Sequence, residues 1–270
     1  MGLRVNTNLF ASTAQRNLSN VSSRLGGNFA RLSSGLRIAS ASDDAAGLGV
    51  SERLRSQIRG LGQASRNAQD GISLAQTAEG ALNEVSSNLI RMRELAVQAS
   101  NGTLSAEDRD AIDVEFQALD DEINRIATST EFNNISLLNA TGSVDIQVGL
   151  DSGQTIAVNT EDVQSASLGI ATLDVDTAAN ASAALDDLDT AITSVNTARG
   201  NLGAASNRLG SAFRSILNTR EGLSAAESRI RDVDVASESS DLTRNSILQQ
   251  AAVSVLSQAN VQPQLALSLI

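Results

Sequence analysis

The chain has no histidine, cysteine, tryptophan or tyrosine, and every one of its 20 basic residues is arginine. Without imidazole, thiol, phenol or primary amine, the acid–base and nucleophilic repertoire shrinks to hydroxyls, carboxylates and guanidinium. That composition argues against an enzyme. Zinc and copper lose the ligands they prefer, so neither a metal nor any other cofactor is expected. Zero cysteine removes a disulfide framework and leaves the redox compartment unread. The missing lysine is read as codon bias rather than function. Aromatics are scarce too, with five Phe in 270 residues, so Ala and Leu must fill narrow seams between helices. A single proline, Pro263, leaves long helices almost unbroken. No run of about 18 apolar residues exists to span a bilayer. The opening MGLRVNTNLF has neither the apolar run nor the cleavage site of a secretory signal.

What is present is a seven-residue apolar repeat: Leu188, Val195, Leu202, Leu209, Ile216, Leu223 and Ile230. A strict spacing of seven keeps one seam of a helix against a partner and imposes a left-handed supercoil. A matching seam runs upstream through Leu54, Leu61, Ala68, Ala75, Leu82, Leu89 and Ala96. Two long helices far apart in one chain, each needing a partner, predict a mainly α fold. Its form is an out-and-back rod of antiparallel, coiled-coil-like helices.

The net charge of −11 is unevenly spread. Residues 1–42 hold five Arg and no acid, whereas residues 67–198 hold four Arg against 22 acids. A basic N-terminal arm can mean nucleic acid or membrane. These Arg residues are well separated and have no aromatic platform. Pairing with the acidic C-terminal segment is the better reading, and neither nucleic acid nor membrane is expected as a partner. The acidic middle reads as a solvated face.

Periodicity places helices over 4–33, from a cap at Ser42-Asp43-Asp44 to about Asn101-Gly102, after Ser105, and from near Ser182 to Ile230. A last helix follows Asp234. The third carries Ile112, Phe116, Leu119, Ile123 and Ile126 and is short enough to fold back on the second. Between them the period switches from 3.6 to 2. Val144, Ile146 and Val148, then Ile156 and Val158 after Asp151-Ser152-Gly153-Gln154, predict one β-hairpin at about 143–159. Residues 160–180 read as irregular. Leu18, Val21, Leu25 and Phe29 at one end, and Leu248, Leu256, Leu265, Leu267, Leu269 and Ile270 at the other, form apolar stripes. They ask for a partner and are the candidate polymerisation residues. The acid clusters Glu107-Asp108-Asp110-Asp113, Asp120-Asp121-Glu122 and Asp186-Asp187-Asp189 fit no calcium loop and fall at helix starts or outward positions. Asn-x-Ser/Thr matches such as those starting at Asn17, Asn101, Asn134, Asn139 and Asn180 are weak patterns.

Several long motifs resemble bacterial flagellins: Ser33-Ser34-Gly35-Leu36-Arg37-Ile38, Ala41-Ser42-Asp43-Asp44-Ala45-Ala46-Gly47-Leu48 and Arg93-Glu94-Leu95-Ala96-Val97-Gln98. So do Ile146-Gln147-Val148-Gly149, Ile247-Leu248-Gln249-Gln250-Ala251 and Gln258-Ala259-Asn260. The resemblance implies a terminal helical domain of 1–43 plus 229–270, lining a filament's inner tube. It implies a helical rod domain over 44–228 and no variable outer domain, a minimal form. The implied function is a structural subunit that polymerises into the flagellar filament for motility, a secreted protein of the extracellular flagellum. Implied partners are other copies of itself, filament cap and hook-junction proteins, and a cytoplasmic export chaperone on the C-terminal helix of a type III substrate. A hook–filament junction protein is the alternative. A host Toll-like receptor is a further implied partner, through Arg91, Leu95 and Glu115. Ile90 departs from that receptor-facing pattern, where recognised flagellins commonly have Gln.

Overall fold

The computed structural model describes residues 7–267, with side chains through 261. Among the described residues the order is α1 (Leu9–Ser34), α2 (Ala45–Ala99), α3 (Ala106–Ser129), β1 (Glu131–Phe132), β2 (Ile135–Ser136), β3 (Gly142–Gln147), β4 (Thr155–Thr160), α4 (Ser165–Leu168), α5 (Ala178–Arg231) and α6 (Val235–Leu267). The fold is mainly α, as expected. Two compact units emerge: Met1–Ser56 with Gly222–Ile270, and Gln57–Glu221.

In the unit of Gln57–Glu221, α2 and α5 run antiparallel, because early residues of one meet late residues of the other. Arg93 pairs with Asp189 at 2.6 Å, and Gly71 faces Leu209. The predicted seam is buried at Leu188, Val195, Leu202, Leu209 and Ile216. The apolar repeat is only half of it. Ala184, Ala191, Ala198 and Ala205 fill the alternate seam positions and are buried as well. Ala is the strongest helix former and, having no bulk beyond Cβ, lets the partner helix come close. On α2 the counterpart is Ala64, Ala68, Gly71, Ala75 and Ala78, giving way to Leu82, Val85, Leu89 and Met92. Gly71 is required by space. A Cβ there would lie 2.9 Å from Ile146 Cγ1 and 3.1 Å from Leu209 Cδ1.

α3 opens with the expected cap. Ser105 Oγ accepts the Asp108 N–H while the Asp108 carboxylate accepts the Ser105 N–H, a closed capping box. Phe116 and Ile123 are buried, and Ile112, Leu119 and Ile126 pack partly buried against the same core. The β3–β4 hairpin pairs Val144 with Val158 and Ile146 with Ile156, as the alternation predicts.

Several local expectations are corrected. A second, two-residue hairpin joins β1 to β2. Its turn is Asn133-Asn134, both at positive φ (50° and 62°), which Asn tolerates better than other non-Gly residues. α5 begins at Ala178 rather than Ser182, because Thr177 Oγ1 accepts the Asn180 N–H and the Asn180 amide binds Asp174 and Asp176. α2 is capped by Asp44, whose carboxylate accepts the Gly47 N–H at 2.9 Å. Asp43 instead closes the preceding turn onto Ala39 and Ser40. Those backbone and hydroxyl donors hold its carboxyl below the usual range.

In the unit of Met1–Ser56 and Gly222–Ile270, α1 starts at Leu9, because Asn8 accepts the Ala11 N–H. Residues 4–6 of the expected helix lie outside the described residues. α1 ends at Gly35, whose φ of +72° suits glycine. α1 and α6 are antiparallel. Asn8 Nδ2 donates to the Ala259 carbonyl at 2.8 Å, and Arg31 Nε donates to Glu238 at 2.9 Å. Arg31 thus realises the expected pairing of the basic arm with the acidic C-terminal segment. The two chain breaks are stitched together, since Val233 N–H donates to Gly35 O and Arg37 N–H to Arg231 O. The Arg231 guanidinium donates to Glu52 at 2.8 Å and, with Arg55, holds that carboxyl below its ordinary range.

Candidate interaction surfaces

The α1–α6 pair leaves more large apolar surface outside than its own seam can bury. Its inward positions follow a heptad through Ala14, Leu18, Val21, Leu25 and Asn28 on α1. On α6 they run through Glu238, Leu242, Asn245, Gln249, Leu256 and Ala259. Leu18, Val21, Leu25 and Leu256 are half-buried there. Phe29 leaves the stripe it shares with Leu25 in the sequence and stands exposed, because the step of three from Leu25 places Asn28 inside. Asn28 is buried and donates to Glu238 while accepting from Asn245. Gln249 donates to Ser22 nearby.

Many other large apolar side chains lie outside this mixed seam. Leu9, Phe10, Phe29, Ile247, Val253 and Val255 each keep more than half of their surface exposed, and Leu248 keeps 45%. Among the described residues of this unit, Ile38 is the sole large apolar side chain that is fully buried. Leu9, Phe10 and Val253 escape a reading of the sequence because they fall off the stripe that periodicity picks out. Leu265 and Leu267 lie in the α6 backbone, and their side chains are beyond those described. Leu269 and Ile270 lie outside the described residues altogether.

A second surface lies where α3 folds back on α2. Arg91 Nε donates to Glu115 at 2.8 Å and Nη1 to Glu94 at 3.0 Å, and the Glu115 contact foremost raises the Arg91 pKa. Exposed Ile90, Val97 and Val114 stand on the same two helices. Arg91 and Glu115 are therefore brought together at the surface, but Leu95 is not with them. It is 2% exposed and belongs to the core, because α2 turns Leu95 inward beside Ala96, Met92 and Ala99.

Several members of the acid clusters are tied up in structure. Asp108 caps α3, and Asp189 is held below the usual carboxylate range by the Arg93 guanidinium. Asp120 is corrected from an outward position. It is half-buried, one carboxylate oxygen lacks a partner, and burial raises its pKa. Beside it Asn124 binds Ser165 through both its amide groups. Among the described residues, no three His, Cys, Asp or Glu side chains are placed to hold a metal. No described helix is long and apolar enough to cross a membrane.

Comparison with known proteins matches residues 5–143 to the bacterial flagellin N-terminal helical region and residues 185–270 to the bacterial flagellin C-terminal helical region. A flagellin of Halalkalibacterium halodurans is 49% identical, the alignment covering 98% of this chain and 99% of that protein. The flagellar filament 33 kDa core protein of Treponema phagedenis is 43% identical over 98% of this chain and 99% of its own. The crystal structure of Bacillus cereus flagellin superposes with a TM-score of 0.52 at 39% identity, covering 56% of this chain and 88% of that one.

Proposed function

The chain belongs to the bacterial flagellin family, and on that premise we propose how this subunit of the flagellar filament assembles. It is a structural protein that polymerises with copies of itself. The near-equal length shared with the H. halodurans flagellin fits a minimal form without variable outer domains. The names of these relatives lend no support to the hook–filament junction alternative.

Assembly, in this reading, is driven by the outer apolar faces of α1 and α6. The observation that carries it is the exposure of large apolar side chains on the pair: Phe10, Phe29, Ile247 and Val255 stay outside, while Asn28, Asn245 and Glu238 share the inward face with half-buried leucines. Burying each such large side chain against a neighbouring subunit is worth about 1.5–3 kcal/mol, and a filament repeats the contact at every subunit. The terminal domain of 1–43 plus 229–270 is then the polymerising part and 44–228 the rod. Leu265, Leu267, Leu269 and Ile270 are proposed to take part in the same contacts on the strength of their apolar sequence pattern. By resemblance to the family, the chain leaves the cell unfolded through the flagellar type III apparatus, with a chaperone on the α6 segment and the cap and junction proteins as assembly partners. The Arg91–Glu115 face is the receptor-facing candidate, with Ile90 and Val114 in place of buried Leu95.

The test is Ile247→Asp and Phe10→Asp, separately, in full-length protein. Unchanged helicity by circular dichroism with no sedimenting filament supports the reading. Filaments from both variants at the normal critical concentration would overturn it.

A further inference from the structure

We propose that Asn101-Gly102 is a site of spontaneous covalent modification in the folded subunit, where the Asn101 side-chain amide is lost and a carboxylate takes its place. Asn101-Gly102 is the sole Asn-Gly pair in the chain. The reaction requires the Gly102 backbone nitrogen to reach the Asn101 Cγ, and three observations favour that approach.

First, the Gly102 N–H has no acceptor among the described residues. Asn101 N–H is bonded to Gln98 O and Leu104 N–H to Asn101 O, so the bonds of this turn pass Gly102 by. A nitrogen outside any hydrogen-bonded ladder can leave the peptide plane without breaking a bond. Second, the Thr103 N–H donates to Asn101 Oδ1 at 3.3 Å. That contact draws the side-chain carbonyl back over its own backbone and places a donor on the oxygen where negative charge develops during attack. Third, both residues are exposed, and a Cβ built on Gly102 meets nothing within 4 Å. The φ of Gly102 also lies outside the left-handed range, so neither space nor backbone angle demands glycine here. What glycine supplies is an unshielded nitrogen.

The step balances with water as co-reactant. The Gly102 nitrogen gives its proton to solvent base and forms a bond to Cγ. The Cγ–Nδ2 bond breaks and ammonia leaves, closing a succinimide. Water then opens the ring at either carbonyl, giving aspartate or its isomer with the backbone routed through the side chain.

The new charge would stand at the C-terminal end of α2, where the helix dipole disfavours an anion. The neighbouring cation is Arg109, which donates from Nε to Ala99 O at 2.8 Å and from Nη2 to Asn101 O at 2.9 Å. It is placed to pair with the product, so the modification is expected to leave the fold intact and create a more acidic form of the subunit.

The experiment ages the full-length protein at mildly alkaline pH and follows the Glu94–Arg109 peptide, released by cleavage after arginine, by mass spectrometry and isoelectric focusing. The expected result is the mass gain of an amide-to-acid exchange at Asn101 ahead of every other Asn, with an acidic band growing in step. Native protein should react at least as fast as protein in urea. Gly102→Ala should slow it several-fold with unchanged thermal stability. An Asn101 that outlasts Asn133, Asn134 or Asn139, or a rate that Gly102→Ala leaves unchanged, would overturn the proposal. So would native protein reacting much more slowly than unfolded, since the turn would then be protective.

Discussion

At the level of Gly71 the α2–α5 seam sets one large side chain against a glycine, with Ile146 of β3 alongside. Leu209 is fully buried, its α5 seam neighbours are Ala205 and Ala212, and across from it stands a glycine. Leu209→Ala removes the filler from a place where the flanking residues are too short to move in. The cost should sit near the middle of the range for buried Leu→Ala, about 3–4 kcal/mol. Gly71→Ala adds a methyl 3.1 Å from Leu209 Cδ1 and 2.9 Å from Ile146 Cγ1. Overpacking of that kind costs about 1–3 kcal/mol, offset by about 1 kcal/mol of helix propensity, so a net loss of about 0–2 kcal/mol is expected. The decisive quantity is the coupling. In the double variant the added methyl enters space vacated by Leu209, while Ile146 still crowds it. The double variant should therefore be more stable than the sum of the two by about 1 kcal/mol, above the additivity error of about 0.3–0.5 kcal/mol. Urea unfolding followed by circular dichroism, with equal m-values across the four proteins, measures it. Additive losses would mean that Gly71 and Leu209 do not share a seam, and the antiparallel register of α2 on α5 would be wrong.

Other outcomes follow from the same contacts. Ile216→Asp should destabilise the helical unit by several kcal/mol, as an unpaired buried charge does, whereas Asp187→Ala, an exposed change, should stay within about 0.5 kcal/mol; thermal melts separate them. Asp189, Glu52 and Asp43 have folded pKa values below their ordinary ones, so their stabilisation is present above the ordinary carboxylate range and lost as pH falls through the folded values. Asp120 has the opposite sign. Its raised pKa means ionisation opposes folding and acid relieves it, so Asp120→Asn should raise the melting temperature at neutral pH and leave it little changed once Asp120 is protonated. Deleting 261–270 should leave far-UV helicity of the Gln57–Glu221 unit intact and abolish filament growth in a sedimentation assay.

The long helices are legible in the sequence because their signals are long. Seven apolar residues in strict heptad spacing on α5 outvote any local ambiguity, and the capping box at Ser105 and the alternation through Val144 and Ile156 are local patterns with one reading. The misreadings arise where a small or polar residue does the packing. Ala184 and Ala191 carry too little hydrophobicity to mark a seam, so half of α5's inward face is silent in the apolar repeat. Asn28 is buried because Glu238 and Asn245 satisfy it, a fact stored more than 200 residues away, and periodicity puts Phe29 there instead. Likeness to a motif assigns Leu95 to a surface, while its position beside Met92 and Ala96 on the buried face decides its exposure. Asn133-Asn134 is a readable turn signal, easily passed over because two-residue strands leave no alternation to notice.

The hydrogen bond from Asn8 to Ala259 joins residues 251 positions apart, and that separation bears on the order in which the molecule can exist. Nothing in α1 can meet α6 until almost the whole chain has been made, since the partner of the first helix is the last to be synthesised. Closing so large a loop costs about 0.6 kcal/mol for each doubling of its length, and a seam whose leucines are only half-buried, with Asn28, Asn245 and Glu238 among them, returns limited apolar burial against that cost. Contacts of such range form slowly. A ribosome, or a conduit that passes the chain from one end, therefore delivers an unpaired first helix. α1 waits unpaired while everything between it and α6 is made.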